Sequence, residues 1–180
     1  TRGTFRFDKY RLVMEELRAS GYPLTEDCYE AVKPIYAVDV RDPTKPVIKH
    51  TLPLPTPPAE AGFTDYCQRK GSFGPKRTGY YTQPGVSREG ILPYAFYNAG
   101  VQVFDVRNPE KPSIGAYFVP PFDTENVVSY AMGNLTHGTY TEYDRNLIWV
   151  FTNHGFYALS TPLLGEPSFA PPTKTWPPRD

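Results

Sequence analysis

Few residues in this chain are suited to chemistry, and they are scattered. Its three histidines are His50, His137 and His154. An imidazole titrates near neutrality and serves as acid, base or metal ligand. His50 follows Lys49 in VIKHT and reads as a surface residue. His137 stands in GNLTHGTY, just before an expected strand, and His154 stands in the turn TNHG. Their separation of 17 residues is not a metal signature. Two strands of one structural unit could still bring them together with Glu142 or Asp144. Such a group would hold a divalent metal or work as a catalytic acid–base pair. The competing reading is two hydrogen-bonded turn histidines.

Two other places could carry chemistry. Thr1, if exposed by cleavage, could attack as a nucleophile with its own α-amine as base. Numbering that begins at a fragment would produce the same terminus. Further along, Arg69, Lys70, Lys76 and Arg77 flank Gly71 and Gly74, and Tyr80 and Tyr81 follow. Free backbone N–H groups, positive charge and aromatic rings suit a carboxylate or phenolic ligand. The plain alternative is a solvated loop. Lys76, Arg77, Tyr80 and Tyr81, with the turn residues Asn98 and Asn153, form the candidate ligand-binding set.

The elements that must position these residues are short strands. Proline accounts for 21 of 180 residues and aromatics for 15%. Long helices do not survive such proline density, while the Tyr, Phe and Val content supplies enough to bury. Many short strands joined by proline-rich turns make an all-β chain. With 19 basic and 19 acidic residues, no phosphate backbone or anionic membrane is implied as partner. No apolar run approaches the roughly 18 residues that span a bilayer. The chain starts at Thr1 rather than Met, as a processed or truncated product would. Cys28 and Cys67 either form a disulfide, as an oxidising compartment permits, or remain two buried thiols.

Residues 1–30 stand apart. Leu12, Met14 and Leu17, followed by Gly21 and Pro23, predict a short helix from about Lys9 to Ser20. The central region, residues 31–165, is organised by repetition. IYAVDVRDPTKPVIKHTLPLP begins at Ile35, and VQVFDVRNPEKPSIGAYFVPP begins at Val101. Asp39 matches Asp105, Arg41 matches Arg107 and Pro43 matches Pro109, all 66 positions apart. Each phrase reads as strand, turn, strand. Asp42 can accept a backbone N–H and Pro43 pre-sets φ for the turn. The matched aspartates, Asp39 and Asp105, are read as turn acceptors rather than a catalytic pair. A weaker third unit, TYTEYDRNLIWVFTNHGFYALSTP, aligns its TNHG with the earlier YNAG at a spacing of 55. Residues 56–90 read as a long irregular connection of functional or partner-facing type. Residues 166–180 form an extended tail.

Repeats of this length built from short strands are propeller blades, and a closed ring takes roughly 4–8 of them. The chain supplies about three. The expected architecture is therefore all-β, a partial β-propeller with a short N-terminal helix. Another chain or a missing segment would complete the ring.

These phrases, with DYCQRKGSFGP and YAFYNAGVQVFDV, resemble the bacterial LVIVD-repeat β-propeller proteins from about Asp27 to Ser160. The resemblance implies the C-terminal portion of a protein about twice as long. Many such proteins are exported, which implies an extracellular or periplasmic setting and agrees with a disulfide. Relatives often continue SFGP with His-Asn, where this chain has Lys76-Arg77. They often carry a glycine-rich turn where it has Asn153-His154-Gly155. The family shares a scaffold and no single chemistry. Two functions are therefore expected. In one, the chain is part of a split propeller whose axial channel binds, and as a lyase or hydrolase transforms, a small polar or aromatic molecule. In the other, it is a non-catalytic binding or assembly subunit. A second polypeptide and a small molecule are the partners in the first reading.

Overall fold

A computed structural model describes residues 34–69, 72–78, 90–121, 135–153 and 155–171. The helix predicted near Lys9 to Ser20 lies outside these residues, as do Thr1 and Cys28. Within them, nine strands form: β1 (Tyr36–Asp39), β2 (Val47–Thr51), β3 (Phe73–Thr78), β4 (Ile91–Tyr97), β5 (Val101–Asp105), β6 (Ser113–Phe118), β7 (Thr136–Glu142), β8 (Leu147–Thr152) and β9 (Gly155–Leu159). The only helical segments among the described residues are short 3₁₀ turns at Ala59–Ala61 and Tyr66–Arg69. The described chain is all-β.

Every strand pair is antiparallel. β1 and β2 form a separate hairpin, and the other seven strands share one sheet. Within that sheet β3, β4, β5 and β6 pair in succession, as do β7, β8 and β9. The two meanders join through one residue pair, Tyr97 with Thr136. The narrow join lets the sheet curl, so that β4 and β5 face β8 across a shared core.

Three layers result. The β1–β2 hairpin and the segment around Tyr66 cover one face of the β3–β6 meander. That core contains Leu52, Tyr66, Phe73, Phe96 and Phe104, with Ile35 and Ala37 packed against it. The opposite face of the meander presents Ile91, Val101 and Val103 to Ile148 and Val150. Strand alternation explains the division, since successive side chains point to opposite faces. In β5, Val101 and Val103 face one core while Phe104 enters the other after a register shift. The strands of the middle layer are thus apolar on both faces, unlike a half-solvated antiparallel sheet.

The repeated phrases fold alike down to single hydrogen bonds. Thr44 N donates to Asp42 Oδ1 at 3.0 Å, and Glu110 N donates to Asn108 Oδ1 at 3.1 Å. Both turns close through a backbone bond of 3.0 Å, Lys45 N to Asp42 O and Lys111 N to Asn108 O. Asp39 Oδ1 accepts the Arg41 backbone N–H, and Asp105 Oδ1 accepts that of Arg107, each at 3.1 Å. Each arginine side chain returns to the same carboxylate, with Nη2 at 2.6 Å in the first turn and 2.5 Å in the second. Even the register shifts correspond, between Ala37 and Val38 and between Val103 and Phe104. The aspartates are turn acceptors, as the repeat implies.

The described part of residues 56–90 differs from the irregular excursion expected there. Phe73–Thr78 forms β3 despite Pro75, because the register with β4 shifts between Phe73 and Arg77. A bulge removes the need for the missing ladder donor. The stretch before β3 folds inward: Tyr66 and Cys67 are buried, and the Tyr66 and Phe73 rings stack at 5.8 Å. Cys67 is disulfide-bonded, and no free cysteine occurs among the described residues. The start of the tail is tied down. Asn146 Nδ2 donates to Glu166 O at 2.7 Å, and Ser168 N donates to Arg145 O at 2.8 Å.

Two predictions follow from these turns. Gly100 has φ +73°, and a Cβ there would lie 2.1 Å from Phe118 O. Gly62 has φ +74° with open space around it. Urea unfolding should therefore show a loss of about 1–2 kcal/mol for Gly62→Ala, the left-handed cost alone, and a clearly larger loss for Gly100→Ala. Equal losses would contradict the close approach at Gly100. The second concerns acid. Hydrogen bonds from Arg41 and Arg107 hold Asp39 and Asp105 below the ordinary aspartate value of 3.8. A depressed folded pKa contributes stability above the unfolded pKa and loses it as pH falls through the folded value. The Arg107 side-chain N–H signals should thus keep their bonded shifts as pH falls from 7 through the ordinary aspartate value of 3.8, and lose them only at lower pH. In Asp105→Asn they should be altered already at neutral pH.

Candidate functional site

The candidate residues gather where the two meanders meet. β3 carries Lys76 and Arg77, β4 ends at Tyr97, β7 opens with Thr136-His137, and β8 leads to Asn153. Register brings these places side by side. Phe73 pairs with Tyr97, Tyr97 with Thr136, and Thr136 with Thr152. β3 and β7 are themselves in contact along this edge. Lys76 and Arg77 therefore sit on a strand, not in a loop.

The local contacts are specific. The Lys76 ammonium lies 4.8 Å from the centre of the Tyr97 ring. Tyr97 holds a positive φ of 48° at the entry to the β4–β5 turn. The His137 ring Nε2 is hydrogen-bonded to Asn153 Oδ1. Asn153 is also fixed through its backbone, where N donates to Leu135 O at 3.2 Å. His137 lies inside β7, one residue later than the strand's start, and is half-buried. Arg77 is exposed and Lys76 half-buried. The edge thus offers two cations, a phenol ring, an oriented imidazole and an amide.

Other candidates are placed elsewhere. Asn98 is fully buried; Nδ2 donates to Tyr66 O at 2.8 Å, and its N donates to Ser72 O at 3.2 Å. These bonds hold the β4–β5 turn against the Tyr66 segment. Arg69 is buried rather than solvated. Its Nη2 donates to Pro120 O at 2.7 Å and its guanidinium lies 5.6 Å from the Phe63 ring. Burial lowers its pKa. Thr1, Lys70, Gly71, Tyr80, Tyr81 and His154 fall outside the described residues.

The grouping of His137 with Glu142 or Asp144 does not form. Glu142 pairs with Leu147 at one end of β7, whereas His137 adjoins the Thr136–Thr152 pair at the other. Five residues of extended chain separate them by roughly 16 Å. Glu142 is instead held by Arg145, whose Nε donates at 3.0 Å, and by Trp149 Nε1, which donates to Oε2 at 3.0 Å. Among the described residues, no three of His, Cys, Asp and Glu converge on a metal-sized space.

Sequence reasoning missed two features. Tyr97 is central to the edge, and its only sequence signal is its place before Asn98-Ala99-Gly100. The second is a cleft of about 330 Å³ between the two repeated turns, lined in part by Arg41, Lys49, His50 and Glu110. His50 Nε2 lies 3.0 Å from Glu110 Oε2. The partners are 60 residues apart, and no local pattern links them.

The Lys76–Tyr97 contact is testable by a double-mutant cycle with Lys76→Met and Tyr97→Leu. The coupling should be about 0.5–1 kcal/mol in urea unfolding, and zero coupling would remove the contact from the site. Comparison of the chain with protein-family models, curated proteins and solved structures finds no match.

Proposed function

We propose that this chain is a segment of a β-propeller that binds a small anionic, aromatic molecule on its axial side. The supporting observation is the meeting of β3 and β7, the first strands of successive meanders. In a ring of radial sheets, such first strands converge on the central channel. Lys76, Arg77, Tyr97 and His137 then face that channel. Two cations with a phenol ring suit a planar carboxylate, which takes charge from one side and stacking from the other. The three-layer arrangement supports a partial ring that another chain or segment completes. The resemblance to LVIVD-repeat proteins points the same way.

The disulfide at Cys67 supports an oxidising compartment, extracellular or periplasmic. Cys28 is the only other cysteine in the sequence.

A catalytic reading rests on one contact. The hydrogen bond to Asn153 Oδ1 holds the His137 ring in a defined orientation, as an acid–base group in a lyase or hydrolase requires. Among the described residues, the carboxylate on the same strand, Glu142, lies at the end of β7 away from His137, so binding is the function the edge supports best. Calorimetry with benzoate, 4-hydroxybenzoate and phenol tests it. The two carboxylates should bind, and Lys76→Ala/Arg77→Ala should weaken them about tenfold or more, the scale of losing a charge-assisted bond. Phenol should be affected much less. Equal affinity in the double variant would sink the proposal. Turnover of a bound ligand that stops in His137→Ala while binding persists would favour the catalytic reading.

A further inference from the structure

The three layers stack with a direction, and the repeat defines it. Each layer has a front face, turned toward the layer before it, and a back face, turned toward the layer after it. In the middle layer the front face includes Phe104, Val106 and Ile114, packed with Ile35 and Ala37 of the first layer. Its back face includes Val101 and Val103, packed with Ile148, Val150, Tyr157 and Leu159 of the third. A back face on a front face is therefore seen twice within one chain.

Among the described residues, the outer layers each carry one such face that no other layer covers. Shifted by the repeat distance of 66, Phe104, Val106 and Ile114 become Val38, Val40 and Ile48. Phe104 is 0% exposed, whereas Val38 is 44%, Val40 61% and Ile48 62% exposed. At the other end, the spacing of 55 that aligns Gly155 with Gly100 turns Val101 into Phe156 and Val103 into Ala158. Val101 is 0% exposed, but Phe156 is 73% exposed, and Phe151 packed against it is 40% exposed. Neither surface belongs to a core among the described residues. Isolated exposed apolar residues are ordinary, but contiguous apolar patches mark interaction sites.

We propose that a second copy of this chain covers both faces. The front face at Val38, Val40 and Ile48 receives the partner's back face at Phe151, Phe156 and Ala158, and the reverse junction forms at the same time. Among its described residues the chain has one exposed face of each kind, and its own layers show that the two kinds fit. Three layers from each copy give a ring of six, within the roughly 4–8 sheets that close a propeller. A head-to-tail contact repeated twice about a two-fold axis closes, rather than running on as a filament. This inference rests on the propeller reading given above, and it names the polypeptide that completes the ring.

Native mass spectrometry and light scattering of the full chain test it. The chain mass is 20.4 kDa, so the expected particle is about twice that. Val38→Asp/Ile48→Asp disables the front face, and Phe151→Asp/Phe156→Asp disables the back face. These positions are exposed, so each variant should keep its sheets, which circular dichroism checks. Each variant alone has no intact junction and should be monomeric, its association weakened by about 100-fold or more through burial of an unpaired carboxylate. Mixed together, the variants retain one intact junction and should form a particle containing one of each. A folded wild type that stays at 20.4 kDa overturns the second copy. So does a dimer broken by only one of the two variants, a dimer unaffected by both, or an open ladder of larger masses. Benzoate binding is read separately. A monomer that still binds benzoate through Lys76 and Arg77 removes the second copy while leaving the binding proposal in place. A dimer that does not bind removes only the binding proposal.

Discussion

Burial of the middle sheet on both faces is the constraint on which the structure depends. An antiparallel sheet with one wet face tolerates alternate polar residues, but this one does not. Phe96 and Phe104 need a cover on one side, and Ile91, Val101 and Val103 need one on the other. The β1–β2 hairpin with the Tyr66 segment supplies the first, and the β7–β9 meander supplies the second. Fully burying a side chain such as Phe104 is worth about 1.5–3 kcal/mol, several times an exposed turn contact. The chain order follows from that need, because each layer must stack on the one before it. In the outer layers, by contrast, Val38, Ile48, Phe151 and Phe156 are exposed.

The repeated turn solves a different problem. A hairpin at the rim of a layer has few core contacts, so its shape must come from local bonds. The Asp–Arg clasp and the Asx-type turn provide them within seven residues, from Asp39 to Lys45 and from Asp105 to Lys111. Because these bonds are internal to each turn, the phrase can be copied elsewhere in the chain and fold the same way. The layer-to-layer contacts then carry the variation, such as Ala37 in one copy where Val103 stands in the other.

The edge proposed to bind ligand is a consequence of the join between meanders. One residue pair, Tyr97 with Thr136, links them. That pair sets β3, which carries Lys76 and Arg77, in contact with β7, which carries His137. Had the meanders separated fully, these residues would belong to two unrelated edges. The buried Arg69 shows the contrast: it lies close to Lys76 in sequence but is committed to Pro120 and Phe63. Proximity along the chain is a poor guide to shared chemistry when strands reverse every few residues.

What was legible in the sequence was what local chemistry decides. Proline density and aromatic content predict the all-β class. The matched Asp, Arg and Pro positions predict both hairpins, their turns and the role of Asp39 and Asp105, because each of those bonds spans only a few residues. The strand at Phe73–Thr78 was hidden by Pro75, since a bulge that accommodates proline depends on the partner strand. The association of His137 with Asn153 rather than Glu142, the burial of Arg69 and Asn98, and the closeness of His50 to Glu110 were decided by tertiary structure alone. Each depends on which face a side chain takes and which strand lies opposite. A shift of one residue in register reverses the first and changes the second, and nothing in a short stretch of sequence records either.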